Sequence, residues 1–271
     1  MKRIFLWIII ILMILWTILP FYSLIVTSLS VTGSIGDLLP KKITFAFFRD
    51  VITNRSGMGN YIWPHMRNSI IVSVITTIIV LVLSLPCAYG LSRLKSKSSK
   101  RIYMGVFILR CLPPIGLVIP WYFIIKSINL YDTYTGLIIV YVFFQIPLGI
   151  WLMKGFFDTI PIEIEESALV DGASVFQTFR KIIMPLSSNG IAVTASFILL
   201  YVYLEYMYAS MLTSLKTVTM PVFIVGFISP FEVRYQLMLA AALVGIIPTT
   251  IIFILAQRYL VSGITGGALK Q

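Results

Sequence analysis

The stretch IPIEIEESALVDGAS, residues 160–174, decides how this chain folds, because it sets polar, helix-punctuated sequence between two long apolar runs. Five of the ten acids, Asp158, Glu163, Glu165, Glu166 and Asp171, lie in or beside it, in a chain of net charge +11 that is 59% hydrophobic. The other five, Asp37, Asp50, Asp132, Glu205 and Glu232, are spread singly. Away from this cluster the composition excludes an ordinary soluble domain. Mean hydropathy is +0.97, only 11% of residues are charged, and one core of 271 residues cannot hide that much apolar surface from water.

Crossing a hydrocarbon core takes about 20 apolar residues. Runs of that kind occur at 4–27, 68–92, 102–125, 134–153, 190–212 and 237–257, some interrupted by proline or glycine, which predicts an all-α membrane protein with six transmembrane helices. Lys2 and Arg3 imitate the start of a signal peptide, but the apolar stretch behind them is too long for a cleaved one, so the first run is read as a retained helix. Cys87 and Cys111 both fall inside apolar spans, which argues against a metal site or a disulfide framework. His65, beside Pro64, is given no role.

Six spans put both termini on one side. The short loop SRLKSKSSKR, 92–101, carries Arg93, Lys95, Lys97, Lys100 and Arg101, and the positive-inside rule makes it cytoplasmic. Lys2, Arg3, Lys154, Arg180, Lys181, Arg258 and Lys270 then share that side, while Lys126, Lys216 and Arg234 stand alone in later outside loops. The connection from 28 to 67, with Lys41, Lys42, Arg49, Arg55 and Arg67, is the exception; long loops cross with less regard to charge. Topology therefore explains the basic excess without nucleic acid, for which no basic-aromatic module is present. Contact with anionic lipid is a secondary effect.

The acidic stretch carries its own helix punctuation. Asp158 or Thr159 is placed to cap a first helix, with Pro161 in its first turn and Glu163, Glu165 and Glu166 at the positive end of its dipole. Gly172 is a stop signal. Ser174 and Gln177 have capping-box spacing for a second helix, whose Phe176, Phe179 and Ile183 share a face and which Pro185 closes. An amphipathic hairpin with merely solvated acids is one reading. Carboxylates are repelled by an anionic inner leaflet and attracted by the arginines of a protein partner, which favours a docking element.

At these residues the sequence resembles a known family. GFFDTIPIEIEESALVDGASVFQTFRKIIMPLSSNG, 155–190, is similar to the EAA loop of binding-protein-dependent ABC importer permeases, with matches at Glu166, Ala168, Gly172, Ile182 and Pro185. Ser167 and Met184 are mild departures, and Asn189 stands where relatives often have proline. The stretches RNSIIVSV (67–74), PCAYGLSRL (86–94), LPPIGLVIPWY (112–122), YDTYTGLIIVY (131–141) and QRYLVSGITGGALK (257–270) narrow the likeness to MalG-type subunits of carbohydrate importers.

The resemblance implies a type I importer permease of the MetI-like fold: one transmembrane domain over 1–271, a core transport region over 62–262 and an EAA coupling loop over 154–187. It implies a multi-pass protein of the cell membrane, both termini cytoplasmic, paired with a second, MalF-type permease. Its other expected partners are two copies of a nucleotide-binding ATPase subunit and an extracytoplasmic sugar-binding protein, which meets the segment 213–236. ATP and Mg are expected on the ATPases, with no cofactor in this chain. In such assemblies a short coupling helix docks into a cleft on the ATPase. Glu166, with Glu165, is assigned as the ionic anchor, Ala168 to close approach, Gly172 to the turn and Asp171 to bracing it.

For the sugar, Glu205 in YVYLEYMYAS, 201–210, is the clearest acid within a span, and such a group costs about 3 kcal/mol at the bilayer centre. It corresponds to the glutamate of the family's Trp-Asn-Glu-Phe stretch, with Tyr203, Leu204 and Tyr206 replacing the other three residues. Tyr201, Glu205 and Tyr208 are expected to share one helical face, and rings beside an acceptor suit a neutral sugar. The competing reading makes Glu205 a structural bond. Arg110 could snorkel, pair with Glu205 or meet the partner. No HExxH, CxxC or GxSxG is present, so the chain is not expected to be an enzyme, and the tail GITGGALK lacks the spacing of a phosphate loop. A self-sufficient secondary transporter or channel, the alternative, calls for midplane coupling groups or an inverted repeat, and neither stands out.

Overall fold

The computed structural model describes residues 2–31, 39–40, 42–53, 61–94, 96–111, 113–229 and 231–268, with side chains described up to 259 at the C-terminal end. Asp37, Lys41, Arg55, Lys95, Leu112, Pro230 and Lys270 of the sequence reading lie outside these residues. Among the described residues the chain is all helix, with isolated bridges only. Four helices or helix pairs cross by length and composition, Phe5–Ser28, Trp63–Arg93, Tyr134–Phe157 and Tyr235–Tyr259, and two bent pairs bring the total to six.

The chain forms two compact units. The first comprises residues 1–66 and 220–247. It contains α1 (Lys2–Ser28), α2 (Ala46–Thr53), α12 (Met220–Val225) and α13 (Tyr235–Gly245), with α13 packed on α1, α2 and α12. Residues 5–22 of α1 are exposed in this chain, Trp16 at 85%, and burial begins only at Val26, Thr27 and Ser28. A helix apolar on all sides is suited to lipid. His65 stacks on Phe223 with ring centroids 4.3 Å apart.

The second unit, residues 67–219 and 248–271, holds most of α3 (Trp63–Arg93), then α4 (Lys97–Cys111), α5 (Pro114–Ser127) and α6 (Tyr134–Phe157). After residues 158–187 come α10 (Ser188–Leu204) and α11 (Met207–Leu212), and α14 (Ile247–Ala268) is the last described helix. α6 is the axis of this unit, contacting α4, α10 and α11. Its approach to α3 depends on Gly149, where a Cβ would stand 2.7 Å from Ser84 Oγ. Small residues at such contacts let membrane helices close in and gain dispersion energy. Toward their shared end Leu85, Ala88, Ile150, Met153, Phe157 and Ile183 form one core cluster.

At the other end of this unit the side chains fix a loop. Asp132, in the left-handed region at φ 54°, accepts backbone N–H bonds from Ser214, Leu215, Lys216 and Thr217 and the Thr217 hydroxyl, at 2.8–3.1 Å. Asn68 donates to the carbonyls of Lys216 and Val218, and Tyr134 donates to Asn68. Partial burial acts to raise the Asp132 pKa, but the N–H donors of Lys216, Leu215 and Ser214 and the Thr217 hydroxyl outweigh it. They hold the carboxyl well below the usual carboxylate range.

The third span is α4 plus α5, interrupted after Cys111, with Pro113 at an extended φ/ψ of −69°/120°, a break at proline of the kind expected. The fifth begins at Ser188, after a 75° bend, and its helix stops at Leu204 rather than running to 212. Glu205 is extended there (φ −71°, ψ 128°), and α11 restarts two residues later. Glu205 therefore belongs to a break between helices, and Tyr201, Glu205 and Tyr208 do not share one continuous helical face.

Candidate functional site

α6 ends at Phe157, and Asp158 closes it. The Asp158 carboxylate is occupied by Lys154 at 2.6 Å, one turn back, and by the Ser92 hydroxyl at 2.6 Å. Asp158 and Thr159 accordingly do not cap the next helix, α7 (Glu163–Val170), which starts after Ile162 with no side-chain cap. Three glutamates in its first turn offset the unpaired N–H groups through the helix dipole. The helix stops as expected at Gly172, whose φ of +87° is a conformation only glycine adopts without strain. Backbone bonds close the turn: Asp171 N–H to Ser167, Gly172 N–H to Leu169 and Ala173 N–H to Ala168. Asp171 braces it with its main chain; its carboxylate is exposed.

The Ser174–Gln177 capping box forms, with both reciprocal bonds present, and opens α8 (Val175–Thr178). A π-type turn, Phe179–Ile183, carries it into α9 (Met184–Leu186). Pro185 does not close this helix. It sits in the first turn of α9, where its missing N–H is tolerated, and the bend comes at Ser187.

α7 has two faces with different chemistry. Glu165 and Ala168, one turn apart, are buried, Glu165 at 6% exposure. Arg93 reaches Glu165 Oε1 at 2.6 Å, and Tyr89 donates to Oε2 at 2.7 Å. The same guanidinium donates to the carbonyls of Phe157 and Ile160, so one arginine joins the ends of α3, α6 and α7. Glu165, expected to share the ionic anchor with Glu166, is committed inside its own chain, and Ala168 faces inward with it. The outward face presents Glu163, Glu166 and Val170 (87% exposed); Val175 and Phe176 (67%), at the start of α8, are exposed as well.

A second constellation lies where α10 breaks. Glu205 folds over the start of α11, with Oε1 accepting Tyr208 N–H at 2.9 Å and Oε2 accepting Ala209 N–H at 3.2 Å and the Tyr141 hydroxyl at 2.7 Å. The Tyr208 hydroxyl donates to the Pro114 carbonyl. Tyr201, Glu205 and Tyr208 thus do come together, on the wall of a cavity of about 20 Å³ that Arg110, Tyr141 and Gln145 also line. Arg110 lies 5.0 Å from the centre of the Tyr201 ring, a cation–π contact.

Sequence reasoning used Arg93 only for topology and passed over Tyr89, Tyr141 and Gln145. Gln145 carried a signal, as the one amide in the apolar run YVFFQIPLGIW, 141–151.

The family model for the binding-protein-dependent transport system inner membrane component matches residues 81–266. The trehalose transport system permease protein SugB of Mycobacterium tuberculosis is 33% identical over 260 residues, covering 94% of this chain and 93% of that protein. The trehalose/maltose transport system permease protein MalG of Thermococcus litoralis is 31% identical over 274 residues, covering 100% of this chain and 98% of that one. Among solved structures, a chain of a bacterial ABC transporter that imports alginate superposes with a TM-score of 0.78 at 22% identity, over 95% of this chain and 97% of that chain. This chain belongs to the binding-protein-dependent transport system inner membrane component family. It is a multi-pass membrane permease subunit of an ABC importer, and its fold is the type I permease fold.

Proposed function

We propose that this permease serves an ATP-driven importer of a neutral di- or oligosaccharide, of the kind for which its trehalose and maltose relatives are named. In this reading it forms the pathway with a second, MalF-type permease, receives sugar from an extracytoplasmic binding protein, and is driven by two ATPase subunits that alone bind ATP and Mg. The loop 92–101, the coupling segment 154–187 and both termini face the cytoplasm. Tyr201, Glu205 and Tyr208 contribute to the sugar pathway.

The observation that carries the coupling role is the division of α7 into a face tied to Arg93 and Tyr89 and a face offering Glu163, Glu166 and exposed apolar side chains. Glu166 is the anchor toward the ATPase, Gly172 sets the turn that presents it, and Glu165 transmits force inward. In proteoliposomes holding the complete assembly, Glu166→Arg is expected to leave the subunit folded while lowering sugar-stimulated ATP hydrolysis and uptake at least tenfold. Uptake and stimulated hydrolysis at the level of the unmodified assembly would overturn the assignment.

A further inference from the structure

Gln145 is the polar group of the cavity that the chain leaves unspent. It lies in α6 at 0% exposure, and neither its amide oxygen nor its amide nitrogen has a hydrogen-bond partner among the described residues. Burying an amide without partners is unfavourable, because its water hydrogen bonds are lost and not replaced. Three of its neighbours on the wall, Tyr141, Glu205 and Tyr208, are hydrogen-bonded within the chain. Glu205 holds α11 and accepts from Tyr141, Tyr208 donates to Pro114, and Arg110 covers Tyr201.

The cavity of about 20 Å³ has room for one oxygen with its hydrogen. Helix ends flank it at Cys111, Pro114, Leu204 and Met207, and interrupted helices around a buried polar pocket are how secondary transporters build ligand sites. One cation and one anion line it, which selects for no net charge in the occupant. An amide offers a donor and an acceptor side by side, and a hydroxyl needs both.

Together these observations lead us to propose that Gln145 recognises a single hydroxyl group of the transported sugar, with the cavity between α6, α10 and α11 as its socket and water as the occupant between transport cycles. The proposal rests on the sugar-importer reading and adds a specificity-determining residue to it. A site built to bond a hydroxyl rejects the analogue lacking that hydroxyl strongly, because the amide is then left unpaired.

The test uses the complete assembly in proteoliposomes, with trehalose, maltose and the monodeoxy analogues of each as probes. The unmodified transporter is expected to take up one monodeoxy analogue at least tenfold less efficiently than its parent sugar, and Gln145→Met to bring that ratio to within about twofold of one. Met nearly matches Gln in shape and needs no partner, so the variant is expected to unfold within about 2 °C of the unmodified protein or above it. A merely structural amide predicts a lower unfolding temperature and equal losses for sugar and analogue. Gln145→Leu, scored by the same ratio, repeats the test in a second apolar side chain. An unchanged ratio in both variants overturns the hydroxyl socket alone. Uptake of none of these sugars by the unmodified assembly overturns the socket and the sugar reading together.

Discussion

Arg93 and Glu165, 72 residues apart in sequence, meet with both Nε and Nη2 of the guanidinium 2.6 Å from one carboxylate oxygen. Both side chains are largely shielded, and the guanidinium also satisfies carbonyls at the end of α6, which an isolated surface ion pair would not do. Removing one partner of a buried pair strands the other charge and costs about 3–5 kcal/mol. Arg93→Ala is therefore expected to lower the thermal unfolding midpoint of the purified assembly clearly. Glu165→Gln, which keeps an acceptor for Tyr89, is expected to cost less. A midpoint unmoved by Arg93→Ala would show the pair to be energetically idle.

Glu166 supplies the contrast. It is one residue from Glu165 but exposed, and substitutions at such sites stay within about 0.5 kcal/mol of neutral. Glu166→Gln is expected to keep the unfolding midpoint of the isolated subunit while reducing retention of the ATPase on a pull-down, more so at low salt, where charge pairing is strongest.

Asp132 makes a pH-dependent prediction. Its folded pKa is depressed below the ordinary value of 3.8, so its bonds to residues 214–217 contribute stability that is present above that value and lost as pH falls below it. Asp132→Asn is expected to lower the unfolding midpoint at pH 7, through loss of bonds to a charged acceptor worth about 1.5–3 kcal/mol each when fully formed. The gap to the unmodified protein should narrow as the medium is taken from pH 5 to pH 3. A gap that widens on acidification contradicts the assignment.

Gly149 and Gly172 separate two kinds of cost. Alanine at 172 meets no atom within 4 Å but must adopt φ +87°, so about 1 kcal/mol of backbone strain is expected. Alanine at 149 places a Cβ 2.7 Å from Ser84 Oγ and forces α3 and α6 apart, with an expected cost of about 1–3 kcal/mol. Pairing Gly149→Ala with Ser84→Gly should recover part of that loss in an unfolding measurement.

The local features of the fold were legible in the sequence, and those set by distant partners were not. Apolar run length announced the spans, a stop signal announced Gly172, and the spacing of Ser174 and Gln177 announced a capping box that forms in full. Run length has no term for a break that stays apolar. α10 stops at Leu204, and the Glu205 carboxylate bonds the amides of Tyr208 and Ala209, with no proline or glycine nearby to mark the break. The same limit hid the fate of Glu165. Three glutamates on one helical turn look alike until Arg93 and Tyr89, more than 70 residues upstream, select one of them.

The Glu205 bonds also set what the socket beside them can become. Two of the three groups holding that carboxylate are main-chain amides of α11, so swinging it away to admit a larger guest would uncap the first turn of that helix. Capacity and capping at this point are linked. Deuterium uptake at the amides of Tyr208 and Ala209 would therefore record, residue by residue, when the pocket widens during a transport cycle.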